Sequence, residues 1–178
     1  MLQVSFLIII VFEEILTEWI RLPENVSLEE GALIEPLSVG IHAARRGEVK
    51  LGDRVVVFGA GPVGLLTAAA AKAAGASHVT IADISESRLK FAKSYIADET
   101  IHLTSKPPKD VDTNEFAKSE AEKIFQSGVA PANVVFDCTG VEVCVQMSVY
   151  VSNTNCLKKK NYNLISFYSS SKITEKLF

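Results

Sequence analysis

The chain has 178 residues, of which 48% are apolar and 22% are charged, and its formal net charge is −3. This composition excludes a disordered, collagen-like or low-complexity chain, and the length predicts one domain with its own core. No basic stripe is interleaved with aromatic residues, so a nucleic acid is not expected as a partner. Three cysteines without a Cys-x-x-Cys spacing predict neither a disulfide framework nor a thiolate zinc cluster, which favours a reducing, cytoplasmic location.

Residues 1–21 form an apolar N-terminal segment of uncertain role, with an unbroken apolar run from Phe6 to Phe12. The run is too short for a bilayer span, which takes about 20 apolar residues, and Glu13 follows it directly. Three interpretations stay open: a buried or pairing strand, which is favoured, a cleaved or anchoring segment, and sequence foreign to the fold. We assign no transmembrane span and expect no membrane partner.

Residues 22–150 alternate between helix and strand signals and form the predicted domain. Ser27 and Glu30 make a capping box that predicts a short helix, Pro36 predicts a restart, and Gly47 predicts the end of the second helix. An alanine-rich helix, a helix capped by Ser85 and an amphipathic helix ending at Gly128 follow. Four segments between these helices predict strands: Arg54–Phe58, His78–Asp83, Glu99–Leu103 and Asn133–Asp137.

A glycine motif, Gly59-Ala60-Gly61-Pro62-Val63-Gly64, follows the first of these strands and opens the alanine-rich helix. The motif is weak alone, but between a strand and a helix it is typical of dinucleotide binding. Gly59 would make the tight turn, Gly61 would admit a diphosphate to the backbone, and Gly64 would let the helix pack on the strand. The unpaired N–H groups and positive dipole end of the helix would then bind the anion.

Asp83 ends the second predicted strand, 19 residues after Gly64, close to the spacing of an acid that binds the adenosine ribose. A carboxylate there accepts hydrogen bonds from ribose hydroxyls and repels a 2′-phosphate, so the predicted cofactor is NAD and not NADP. The alternative is that Asp83 only caps the next helix and the glycines only turn the chain. The order of strand, glycines, helix and acid favours an α/β fold: a doubly wound parallel sheet of the Rossmann type. With four of about six strands, it is expected to be incomplete.

Four segments in combination resemble the zinc-containing medium-chain dehydrogenases, and among them the branch of sorbitol and xylitol dehydrogenases. These segments are Gly31–Ala43, Gly59–Gly64, Asp83 with Arg88, and Asp137–Gly140. The resemblance covers about residues 22–150 and implies NAD-linked oxidation of a polyol to a ketose. It therefore implies NAD(H) and a polyol or ketose as ligands, zinc as the family's metal, and a protein that can form a homo-oligomer.

The resemblance also implies roles for individual residues. Pro62 and Val63 are expected to contact the cofactor in the glycine turn, and Asp83 and Arg88 are expected to contact its adenosine ribose. Glu35 corresponds to an acid beside the catalytic zinc and the substrate.

Plainer alternatives stand next to these roles. By sequence alone Glu35 is an acid at a helix start before a proline, Arg88 is a solvated helix residue, and His42 is a packed core histidine rather than a ligand. Thr139 follows the fourth predicted strand, where an open α/β sheet has its ligand crevice, and is expected to contact the cofactor.

Both ends of the chain depart from the family pattern. The family's zinc ligands come from an N-terminal catalytic domain, and no Cys or His precedes His42 here. Because a catalytic zinc needs about three protein ligands, no complete metal site is expected. Residues 151–178 contain no Gly or Ala and carry five basic side chains and one acidic side chain, so a foreign, poorly ordered tail is expected.

Three functions are compatible with these observations. The favoured one is the NAD-binding portion of a zinc-dependent polyol dehydrogenase, which would be inactive alone because its zinc domain is missing, as in a truncated gene product. The second is a non-catalytic nucleotide-binding or interaction module, a decayed paralogue. A methyltransferase or flavin protein is the least favoured, because of Pro62 in the turn and the segment around Glu35.

Overall fold

A computed structural model describes residues 6–10, 17–104, 112–126, 129, 131–152 and 163–166 of the chain. Twelve elements are described, and they form one main sheet with its helices and a separate strand pair. In chain order they are β1 (Phe6–Ile10), β2 (Thr17–Arg21), α1 (Leu28–Arg46), β3 (Arg54–Phe58), α2 (Pro62–Ala73), β4 (His78–Asp83), α3 (Glu86–Tyr95), β5 (Glu99–His102), α4 (Thr113–Gln126), β6 (Val134–Asp137), α5 (Glu142–Val151) and β7 (Asn163–Ser166).

The main sheet has the strand order β5-β4-β3-β6-β7, and every neighbouring pair is parallel. The central strand β3 is buried from Val55 to Phe58, as expected for a parallel strand covered on both faces. The strand order reverses between β3 and β6, because the chain first builds outward to β5 and then continues on the other side of β3. In open α/β sheets the ligand crevice lies at this reversal, outside the carboxyl ends of the strands.

Helices cover both faces of this sheet. On one face, α1, α2 and α3 pack against a cluster that includes Val55, Val57 and Phe136. On the other face, α4 and α5 pack against Val56 and Phe58. The predicted doubly wound α/β fold is therefore confirmed.

One continuous helix, α1, replaces the two helices that Pro36 predicts. Its capping box forms as expected: Glu30 N–H donates to Ser27 Oγ at 3.2 Å, and Ser27 N–H donates to the Glu30 carboxylate at 2.8 Å. A proline inside a helix removes one backbone hydrogen bond. The prediction of a restart at Pro36 is wrong because tertiary packing against α2 outweighs that loss.

Close backbone contact with α2 holds α1 in place. A Cβ on Gly40 would lie 2.9 Å from backbone atoms of Leu66 and Thr67, so the two helices touch where a side chain would separate them. The buried face of α1 carries small residues, including Ala43 and Ala44. His42 lies off this face and is exposed, so its interpretation as a packed core histidine is wrong.

A fifth strand, β7, joins the sheet from the C-terminal segment. It pairs in parallel with β6, with Leu164 opposite Val135. The sequence predicts only four strands for this sheet, because four residues with two apolar side chains give no strong periodicity and the partner strand is distant in sequence. The remainder of residues 153–178 lies outside the described residues, so the expectation of a poorly ordered tail stays a prediction.

The N-terminal segment contributes an antiparallel pair, in which Phe6 of β1 lies opposite Arg21 of β2. A strand at Phe6–Ile10 is the secondary structure that the first of the three interpretations predicts, and the role of the segment stays open. Among the described helices, none combines the length and the apolar character that crossing a bilayer requires.

Candidate functional site

The chain turns sharply between β3 and α2 at Gly59, whose φ of +100° favours glycine. Gly59 N–H donates to Ala82 O at 2.7 Å, which joins the turn to the end of β4. A Cβ on Gly64 would stand 1.9 Å from Gly59 O, so α2 could not approach the turn with any other residue there. Both glycines have the structural tasks that the sequence predicts, whereas their contact with a cofactor stays a prediction.

The N-terminus of α2 is open to a ligand. Gly61 is its N-cap residue, Pro62 is at the first helical position, and no side chain caps the helix or places an acid in its first turn. Apart from chain neighbours, no described atom lies within 4 Å of the point where a Cβ on Gly61 would be. The N–H groups of Val63 and Gly64 and the positive end of the helix dipole can therefore receive an anion.

Asp83 is held next to the glycine turn. The residue is 7% exposed, and its Oδ2 accepts a hydrogen bond from Ala60 N–H at 2.7 Å. Oδ1 accepts a second hydrogen bond, from Ser85 N–H at 2.8 Å. Each carboxylate oxygen has a further lone pair, so the group can still accept hydrogen bonds from hydroxyl groups of a ligand that lies across the turn.

Arg88 lies on α3, which begins three residues after Asp83. Its side chain is exposed, as the plainer alternative also predicts. The predicted N-cap residue Ser85 makes no side-chain cap; its hydroxyl lies 3.1 Å from Ser87 Oγ instead. Contact between Arg88 and the ribose stays a prediction.

Thr139 lies two residues beyond the end of β6, close to the glycine turn after β3. Cys138 N–H donates to Phe58 O at 2.9 Å. This hydrogen bond keeps the residue after β6 beside the end of β3, where the glycine turn begins. Thr139 Oγ1 donates to Asp137 Oδ1 at 2.6 Å, and Thr139 Cγ2 would be 3.1 Å from a Cβ on Gly59. The structure thus brings Thr139 close to the turn, and its contact with a cofactor stays a prediction.

Glu35 lies at the same end of the molecule as the glycine turn. Gly40 contacts Leu66, and farther along, Arg45 of α1 and Ala73 of α2 line one groove, so the two helices run side by side in the same direction. Glu35 precedes Gly40 by about 1.4 helical turns, or about 7.5 Å, and this places it level with the N-terminus of α2. Its side chain is exposed, and its role beside a metal or substrate stays a prediction.

The two described thiols are poor metal ligands. Burial raises the pKa of Cys138 to about 12, and the negative charge of Asp137 acts in the same direction. Burial also raises the pKa of Cys144 to about 11. A thiol binds metal as the thiolate. Across the described parts of the chain, no three His, Cys, Asp or Glu residues are grouped to hold a metal ion, so these residues do not fit a catalytic zinc.

The sequence patterns assign no role to two residues that contribute to the site. Ala60 acts through its backbone N–H, which no side-chain pattern reveals. Asp137 is fully buried and holds Thr139. The Asp-x-Thr spacing after a strand could have indicated it, because such residues bond the backbone two positions away.

Comparison with known proteins agrees with this geometry. Residues 62–155 match the family model described as zinc-binding dehydrogenase. Sorbitol dehydrogenase of Rattus norvegicus is 46% identical over 134 residues, which are 75% of this chain and 35% of that protein. An Escherichia coli oxidoreductase/dehydrogenase of unknown specificity, involved in membrane biogenesis, matches at 29% identity and a TM-score of 0.59, over 82% of this chain and 44% of the other. The 2R,3R-butanediol dehydrogenase from Bacillus subtilis matches at 26% identity and a TM-score of 0.60, over 84% of this chain and 45% of the other.

This chain belongs to the zinc-binding dehydrogenase family. It spans about a third of the length of the curated relatives that it matches, at 35% of each. The resemblance to zinc-containing medium-chain dehydrogenases of the sorbitol dehydrogenase branch is therefore confirmed.

Proposed function

We propose that the chain binds NAD(H) across the carboxyl ends of β4, β3 and β6, as the nucleotide-binding portion of a zinc-dependent polyol dehydrogenase. The observation that carries this proposal is the juxtaposition of an uncapped α2 N-terminus, open space at Gly61, and a carboxylate 2.7 Å from Ala60 N. In the Rossmann fold the diphosphate lies at the N-terminus of the helix after the glycine turn, and an acid at the end of the next strand binds the ribose.

Each part of the cofactor has a partner in this arrangement. The diphosphate would lie against the N–H groups of Val63 and Gly64, with no side chain at Gly61 to exclude it. Asp83 would accept hydrogen bonds from the ribose hydroxyls, and Arg88 would lie beyond it on α3. Thr139 would border the nicotinamide half of the cofactor. Bound NAD supplies the hydride acceptor, and the residues here orient it.

The proposed substrate class is inferred from the sorbitol dehydrogenase relatives and not from a substrate pocket in this structure. The similarity to sorbitol dehydrogenases supports oxidation of a polyol to a ketose. Glu35, level with the α2 N-terminus, is the residue of this chain that we expect beside the substrate. Polarising the alcohol requires a metal site that the described residues do not form, so we expect the chain alone to be inactive. A cytoplasmic location and assembly with like subunits are further expectations.

Calorimetric titration of the full chain with NADH tests the binding proposal. We expect a saturable heat of binding that NADPH gives only at much higher concentration. Absence of binding would contradict the proposal and favour the non-catalytic interaction module instead.

A separate assay tests the expected inactivity. The chain is mixed with NAD, zinc and sorbitol or xylitol, and NADH absorbance is followed. We expect no increase, and sustained turnover would show that a working metal site forms after all.

A further inference from the structure

Asp137 is a buried carboxylate to which the proposed function gives no direct role. It is the last residue of β6 and is 0% exposed. Its register partner on β3 is Phe58, so it lies beside the start of the glycine turn, where the strand order reverses. A buried carboxylate is costly unless hydrogen bonds compensate it, and its partners therefore identify the groups that it holds.

Thr139 supplies two of those hydrogen bonds. Its N–H donates to Asp137 Oδ1 at 3.0 Å, and its hydroxyl donates to the same oxygen at 2.6 Å. The hydroxyl oxygen in turn accepts a hydrogen bond from Val141 N–H at 3.1 Å, just before α5. Because the hydroxyl both donates and accepts, it fixes the Thr139 side chain in one of its three staggered rotamers.

The fixed hydroxyl determines where the methyl group of Thr139 lies. Thr139 Cγ2 is 3.1 Å from the point that a Cβ on Gly59 would occupy, and Cys138 O is 3.3 Å from it. The methyl group therefore lies against the glycine turn. The two sides of the crevice, one after β3 and one after β6, meet at this contact.

We propose that Asp137 is a positioning residue for the dinucleotide: by holding the Thr139 hydroxyl, it keeps the methyl group against Gly59 and out of the crevice beyond it. The inference rests on the proposed cofactor function. It concerns the half of the dinucleotide on the β6 side, whereas AMP would occupy only the side of Asp83 and Gly61.

The test measures dissociation constants of NADH and AMP by calorimetry for the full chain and four variants. Thr139→Val keeps the size of the side chain but removes the hydroxyl, so the wild-type rotamer becomes one of three. Only that rotamer is expected to admit the cofactor. The fraction of protein molecules that can bind NADH then falls to about one third, and the NADH dissociation constant rises about threefold. Thr139→Ser keeps the hydroxyl and is expected to stay near the wild-type value.

Two further variants complete the set. Asp137→Asn can accept only a weaker, uncharged hydrogen bond, so its NADH dissociation constant is expected between those of wild type and Thr139→Val. Thr80→Val is the matched control, because Thr80 is buried in β4 and its hydroxyl makes no hydrogen bond with the described residues. Thermal melting checks that each variant folds; if Asp137→Asn does not, the Thr139 variants still decide the outcome.

Different results identify different failures. A wild-type chain that does not bind NADH contradicts the proposed function before any variant is measured. If wild type binds and Thr139→Val binds as tightly as Thr139→Ser, the positioning role alone is overturned. If Thr139→Val raises the dissociation constants of NADH and AMP equally, the positioning role is also overturned, because that result indicates a general effect on the fold.

Discussion

Ala60 N–H donates to Asp83 Oδ2 at 2.7 Å and joins the glycine turn after β3 to the end of β4. A single hydrogen bond thus connects the two groups on which the cofactor proposal depends: the backbone that would face the diphosphate and the carboxylate that would face the ribose. With Ser85 N–H on the other oxygen, the carboxylate has one orientation. This relationship makes the selectivity for the cofactor testable at one residue.

Replacing Asp83 with Ser should reduce the discrimination against NADPH. The change removes a charge that would repel a 2′-phosphate, and it would remove the proposed hydrogen bonds to the ribose, worth roughly 1.5–3 kcal/mol each. We expect NADH affinity to fall at least about tenfold while the ratio of NADPH to NADH affinity rises. Competition titrations measure both. Asp53→Ser is the control, because Asp53 accepts from Lys50 N–H before β3; unchanged selectivity in Asp83→Ser would contradict the ribose role.

Replacing Gly61 with Val should abolish dinucleotide binding and leave the fold intact. A Cβ there meets no described protein atom within 4 Å, so we expect the new side chain to project into the space proposed for the diphosphate. NADH titration and thermal melting are measured together, and we expect lost binding with a melting temperature within a few degrees of wild type. Gly64→Ala provides the contrast, because its Cβ would lie 1.9 Å from Gly59 O and must destabilise the fold. Binding retained by Gly61→Val would exclude this turn as the diphosphate site.

Replacing Gly40 with Ala should destabilise the protein through the contact between α1 and α2. The new Cβ would lie 2.9 Å from the backbone of Leu66 and Thr67, and backbone cannot move aside as a side chain can. Overpacking of this kind costs about 1–3 kcal/mol, measured as the free energy of unfolding in urea. Gly31→Ala is the matched control in the same helix, because its Cβ meets only the end of the Leu22 side chain. Equal stability of both variants would show that the two helices are not held by this contact.

Asp98 should make the stability depend on pH in the acid range. Partial burial acts to raise the pKa of Asp98, but hydrogen bonds from Lys72 and from Val79 N–H outweigh it and hold the pKa below 3.8. A lowered folded-state pKa gives stability that is present above the unfolded-state pKa and lost as pH falls through the folded-state pKa. We therefore expect the free energy of unfolding to decrease below about pH 4, with a smaller decrease in Asp98→Asn. The same slope in wild type and variant would assign the effect to other carboxylates, such as Glu30.

Local signals predicted the elements that position the site. The β-branched run after Arg54 gives β3, the glycine motif gives the turn, and Asp83 ends β4 where the sequence places it. The contacts that decide geometry are between distant residues and have no local signal. Packing of Gly40 against Leu66 stabilises α1 as one continuous helix despite Pro36. Pairing with β6 stabilises Asn163–Ser166 as a strand.

The hydrogen bonds that fix Asp83 also affect the entropic cost of binding a dinucleotide. A carboxylate already immobilised by two backbone donors needs no reorganisation when a hydroxyl group arrives, which lessens the entropic cost of association. Crystals grown without ligand should therefore admit the coenzyme by soaking without cracking, and superposition of the empty and soaked forms should show this edge of the sheet unmoved.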